Sequence, residues 1–73
     1  MFEFRFTYSD NNFYEVKGVN KIVIPSSPIR ELVGDAILTT PLPLKTMYLY
    51  TANGNVTVSG TNLMVIDVVK QDN

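Results

Sequence analysis

Thr46-Met47-Tyr48-Leu49-Tyr50-Thr51-Ala52-Asn53-Gly54-Asn55-Val56-Thr57-Val58-Ser59 is the stretch on which the fold turns. Asn-Gly flanked by alternating apolar residues is the strongest short hairpin signal, because both residues tolerate the positive φ of a type I′ turn. Placing the turn on Asn53-Gly54 sets Ala52 opposite Asn55, Thr51 opposite Val56 and Leu49 opposite Val58. One face then carries Met47, Leu49, Thr51, Val56 and Val58, and its reverse carries Tyr48, Tyr50, Thr57 and Ser59. Strand side chains alternate between faces, so this separation of aliphatic from aromatic and polar groups follows from the turn alone.

A second hairpin opens the chain. Phe2, Phe4, Phe6 and Tyr8 alternate with Glu3, Arg5, Thr7 and Ser9, the period of a strand with one wet and one buried face. Asp10-Asn11-Asn12 supplies turn residues, and a loop over them pairs Tyr8 with Tyr14, Phe6 with Val16 and Phe4 with Gly18. Phe13, Glu15 and Lys17 share the other face. Near Gly18-Val19 the alternation slips by one residue before Ile22 and Ile24 resume it, which predicts a β-bulge or sharp bend. Pro25 ends the ladder.

Between the hairpins, Ser27 before Pro28 reads as a helix N-cap, and Ile29, Leu32, Val33, Ala36 and Ile37 fall on one helical stripe. Gly34-Asp35 interrupts it. The preferred reading is a short helix near 28–33 with Gly34 as its C′ residue, and the other reading is one helix from about 28 to 38. Pro41-Leu42-Pro43 forces an extended connection. Gly60-Thr61-Asn62 turns the chain into Leu63–Lys70, which is apolar at both parities and so reads as a strand covered on both sides. Which of its faces meets Val56 and Val58 stays open. The tail Gln71-Asp72-Asn73 reads as frayed.

The predicted fold class is therefore mainly β, a single domain over 1–73. About five antiparallel strands in two hairpins form a small half-open barrel or a curled sheet, with one short helix. At 73 residues such a chain buries only roughly 60% of its unfolded surface. Cysteine and histidine are absent, which removes disulfides, thiolate or imidazole metal sites and thiol nucleophiles together. Tight packing or association with a partner must then supply stability. A formal net charge of −1, spread without blocks, provides no field for a polyanion or an anionic membrane. The alternating start Met1-Phe2-Glu3-Phe4-Arg5 does not form a signal-peptide hydrophobic region, and no apolar run approaches a membrane span, so the expected location is cytoplasmic.

No motif frames Ser9, Ser26, Ser27 or Ser59 as a nucleophile, and each lies where a hydroxyl satisfies turn or cap backbone. No catalytic residue, cofactor or metal is expected. Asp10-Asn11-Asn12 with Glu15 faintly resembles oxygen ligands for calcium, but it lacks the length and glycine of a calcium loop. Asn55-Val56-Thr57 matches the glycosylation sequon by chance. The candidate interaction surface is Tyr48, Tyr50, Thr57 and Ser59, since tyrosine combines apolar area with a hydroxyl tolerant of water. A covering of these rings as a second core layer is the competing reading. The first strand, were it at an edge, is a further candidate.

Leu49-Tyr50-Thr51, Asn53-Gly54, Thr57-Val58-Ser59, Asn62-Leu63 and Ile66-Asp67-Val68-Val69-Lys70 resemble small uncharacterised proteins of Gram-positive bacteria and their prophages. The resemblance implies a bacterial or phage accessory protein and carries no functional residues across. The expected function is a non-catalytic interaction or structural module acting through protein contacts, its own copies included. The alternative is a small β-barrel that binds single-stranded nucleic acid by stacking on Tyr48 and Tyr50 with Lys45 nearby. The scarcity of clustered cations weighs against it.

Overall fold

In the computed structural model, which describes residues 1–71, the aromatic alternation of the first residues forms β1 (Phe2–Tyr8), with Phe2, Phe4 and Phe6 buried. The chain continues as β2 (Phe13–Ile24), β3 (Arg30–Val33), α1 (Ala36–Thr39), β4 (Met47–Thr51), β5 (Gly54–Val58) and β6 (Leu63–Lys70). All six strands join one antiparallel sheet in the order β5-β4-β2-β1-β6, with β3 also on β2. The sheet is curled and does not close. No helix among the described residues is long and apolar enough to cross a membrane.

β2 holds the two halves together. Its first part pairs with β1, while Lys21, Ile22 and Val23 pair with β3 on one edge and β4 on the other. The bend lies where the alternation slips: Phe2 faces Val19, Phe4 faces Val16, and Gly18 takes φ +73°. Positive φ is accessible to glycine without a Cβ clash, so the bulge can form there. The Gly18 N–H donates to Gln71 Oε1 at 2.8 Å, and the Gln71 N–H donates to the Met1 carbonyl at 2.9 Å. Gln71 is thus tied down rather than frayed, and Asp72 and Asn73 lie outside the described residues.

Both hairpins keep their predicted faces but pair two residues away from the predicted register. In the first, Phe6 faces Tyr14 and Phe4 faces Val16, not Gly18. The loop is Ser9-Asp10-Asn11: the Tyr8 N–H donates to the Asn12 carbonyl and the Asn11 N–H to the Tyr8 carbonyl, both at 2.9 Å. Asn11 holds φ +68°, the left-handed residue of a three-residue hairpin loop. In the second, Thr51 faces Gly54, Leu49 faces Val56 and Met47 faces Val58. Ala52-Asn53 therefore occupies the centre of the turn, with Gly54 after it. The Asn53 N–H donates to Thr51 Oγ1 at 3.2 Å, and Thr51 Oγ1 donates to the Gly54 carbonyl at 3.3 Å, which fixes the turn one residue early. A shift of two leaves every side chain on its face, because the strand period is two.

Residues 28–33 are not a helix. Arg30–Val33 is a strand paired with Lys21–Ile24, and Ser26-Ser27-Pro28 makes the reversal, with the Ser26 hydroxyl donating to the Pro28 carbonyl at 2.8 Å. Only Leu32 of this segment is buried, whereas Ile29 is 68% exposed. The ladder satisfies the backbone that a helix would otherwise satisfy, and it does so while burying one side chain in alternation. The single helical turn comes later, at Ala36–Thr39, which packs on β3 and β6 and buries Ile37 in the core.

β6 also departs from expectation. It lies on β1 rather than β5, from Phe2–Lys70 to Tyr8–Leu63, and it is an edge strand rather than a covered one. β1 is consequently internal. The crossing is fixed at one corner: the Tyr8 hydroxyl donates to the Ser59 carbonyl at 3.0 Å, and the Ser9 N–H donates to the Asn62 carbonyl at 2.9 Å. Gly60 permits it, since a Cβ there would lie 2.5 Å from the Lys45 carbonyl carbon.

The core is the concave face, with Val19, Ile22, Met47, Leu49, Val58 and Leu63 closing around the β1 aromatics. Phe4 and Phe6 stack with centroids 5.7 Å apart and rings 12° from parallel. Phe4→Ala is expected to cost about 3–5 kcal/mol, a large share of the roughly 4–11 kcal/mol a domain of this length holds. Gly60→Ala is expected to cost about 1–3 kcal/mol by forcing the corner apart. Urea denaturation followed by circular dichroism measures both; a loss near zero for either would contradict the packing described.

Candidate functional site

The convex face of β4 presents the tyrosines because Met47 and Leu49 are committed to the core and strand side chains alternate. Tyr48 lies between Val23 on β2 and Thr57 on β5, and Tyr50 lies between Lys21 and Asn55. Both rings are half-buried, flanked by neighbours in the sheet, and α1 packs against β3 and β6 instead of over them. The second-layer reading therefore does not describe this face. The Lys21 ammonium stands 4.5 Å from the Tyr50 ring centroid and 3.9 Å from Glu31 Oε1. The cation is thus shared between an aromatic face and a carboxylate on β3.

Of the four sequence-derived candidates, Tyr48, Tyr50 and Thr57 share this face. Ser59 does not work with them: its carbonyl accepts the Tyr8 hydroxyl and its hydroxyl accepts the Thr61 N–H at 3.1 Å. It belongs to the β5–β6 corner. Val33, 58% exposed and opposite Lys21, extends the face across β3. Arg30-Glu31-Leu32-Val33 does not alternate polar with apolar residues, so no local strand signal competes with the helical stripe that begins at Ile29.

The other candidates resolve locally. Asp10 Oδ1 accepts the Asn12 N–H at 3.0 Å and Oδ2 accepts Asn12 Nδ2 at 2.9 Å, so both oxygens build the turn. Glu15 faces away from that turn and takes Arg5 through Nε at 3.2 Å and Nη2 at 2.9 Å. Arg5 also lies 4.6 Å from the Phe13 centroid. A shallow depression of about 300 Å³ on the same face is lined by Glu3, Arg5, Glu15, Asp67 and Val69. A larger groove of about 480 Å³ runs between β6 and residues 37–44, with aliphatic side chains, Ile37, Leu42, Ile66 and Val68 among them, and Thr40 in its lining. Sequence reading missed this groove because it placed β6 inside the sheet.

Compared with known proteins, the chain matches no family model, no curated protein and no solved structure.

Tyr48→Ser/Tyr50→Ser is expected to leave the fold intact, with a loss of about 1–3 kcal/mol from the half-buried rings. Arg5→Met is expected to change stability by less than about 1 kcal/mol, since the Arg5–Glu15 pair is solvated. Thermal and urea unfolding of both variants tests the two expectations; a double tyrosine variant that does not fold would make these rings core rather than surface.

Proposed function

We propose that this chain is a non-catalytic interaction module that acts through protein contacts. The observation that carries the reading is the pair Tyr48 and Tyr50, held half-open on a rigid four-strand surface beside Val23 and Val33. Aromatic rings fixed by a ladder lose little conformational freedom on contact, and they offer apolar area with a hydrogen-bonding edge. Thr57 at the rim supplies an exposed hydroxyl. Association with its own copies falls within the same reading.

One observation favours a second reading. Lys21 beside Tyr50 combines a stacking platform with a cation, the pairing that single-stranded nucleic acids use. Glu31 on the same lysine weakens its appeal to phosphate. The two readings separate in one pair of measurements. Light scattering across a concentration series, with and without extract from the native cell, is expected to show association by the wild type that Tyr48→Ser/Tyr50→Ser loses. Labelled single-stranded DNA and RNA are expected to bind no tighter than about micromolar at low salt. Tighter binding that falls steeply with salt would replace the first reading with the second.

A further inference from the structure

β6 is an edge strand whose outer hydrogen-bonding groups have no partner in the sheet. The Gln71 N–H donates to the Met1 carbonyl, and the β1–β6 register runs unbroken from there through Thr7–Val65. Antiparallel pairs alternate between bonded and unbonded, so Val69, Asp67 and Val65 direct their backbone groups to β1. Ile66, Val68 and Lys70 direct theirs to the free edge. Among the described residues, none of these three makes a backbone hydrogen bond outside the strand ladders. On the concave side this edge borders that groove, whose lining includes the aliphatic side chains of Ile37, Leu42, Ile66 and Val68. On the convex side it carries Asp67. Arg5 is opposite Asp67 in the register but gives its guanidinium to Glu15, so Asp67 has no ion-pair partner among the described residues, and neither has Glu3.

We infer that the β6 edge takes up an extended segment of another polypeptide, added as a further antiparallel or parallel strand. Its side chains alternate between apolar residues, directed into the groove, and a lysine or arginine, directed to Asp67 and Glu3. The free N–H and C=O groups demand an extended backbone. The groove favours apolar residues at every second position, and the excess of carboxylates over Arg5 in the depression beside Asp67 selects basic residues at the others. A second copy of this chain fits less well. Two-fold pairing centred on Asp67 sets two carboxylates against each other, and pairing centred on Ile66 sets Asp67 against Val65 of the second copy. Neither brings a cation. This surface is separate from the tyrosine face, so one can fail while the other stands.

The probe is a blocked, fluorescein-labelled heptapeptide alternating valine and lysine, followed by anisotropy against the full chain. It is expected to bind at least about tenfold tighter than the matching valine–glutamate peptide, with the order reversed by Asp67→Lys. N-methylation of one alternate set of its amides is expected to abolish binding, while methylation of the other set is tolerated, since only one edge of an added strand faces β6. Tyr48→Ser/Tyr50→Ser is expected to leave this binding unchanged. Absence of binding, equal affinity for the two peptides, or equal effects of the two methylation sets would overturn the proposal. So would concentration-dependent self-association that protects the amides of Ile66, Val68 and Lys70 from exchange.

Discussion

The bend of β2 at Gly18 is the constraint on which the structure depends. One strand of twelve residues serves as the seam for two ladders that do not otherwise share a neighbour: β1 with β6, and β4 with β5. The extra residue opposite β1 turns Val19 into the concave side with Phe2 and Phe4, and a second irregularity between Val19 and Lys21, opposite β4, returns Ile22 to it. The bulge is anchored from the far end of the chain, through Gln71, so the first and last residues of the described chain meet beside it.

What the sequence revealed and what it concealed divide along a physical line. Parity was legible, because an apolar or polar side chain on the wrong face costs on the order of 1–3 kcal/mol at every position. Pairing was not. In both hairpins the true register differs from the expected one by two residues, a shift that changes no face and is decided by local turn bonds such as Thr51 Oγ1 with Asn53. The helical stripe beginning at Ile29 competed with a strand of only four residues, whose stabilisation comes from Lys21–Ile24 and not from its own neighbours. A non-local ladder leaves little trace in a local pattern.

The placement of β6 was concealed for a similar reason. Apolar residues at both parities ordinarily mean cover on both sides. Here the strand has β1 on one side and nothing in the ladder on the other, so Met64, Val65 and Val69 remain exposed. Of the candidate site, the tyrosines and Thr57 were readable from the hairpin faces. Val33 was not, because its own strand was not, and Ser59 was misplaced because its hydroxyl and carbonyl serve a corner formed with residues distant in sequence.

β5 and β6, the two open edges beside that of the four-residue β3, are unequal, and the inequality has physical content. β5 has five residues, with Asn55 and Thr57 outward and a glycine at its start, a short polar edge that offers an incoming chain little to bury. β6 has eight, borders the larger groove and shows one irregularity near Met64 and one lone carboxylate. Those two features are the usual means by which an edge is kept from pairing with its own kind. A charge, unlike a bulge, discriminates: it repels a like strand and attracts an opposite one. Had the edge needed only to be blunted, pairing Arg5 with Asp67 across the β1–β6 ladder would have cost nothing in register. Instead Arg5 is held by Glu15 and Phe13 on the other side, and Asp67 has no ion-pair partner among the described residues.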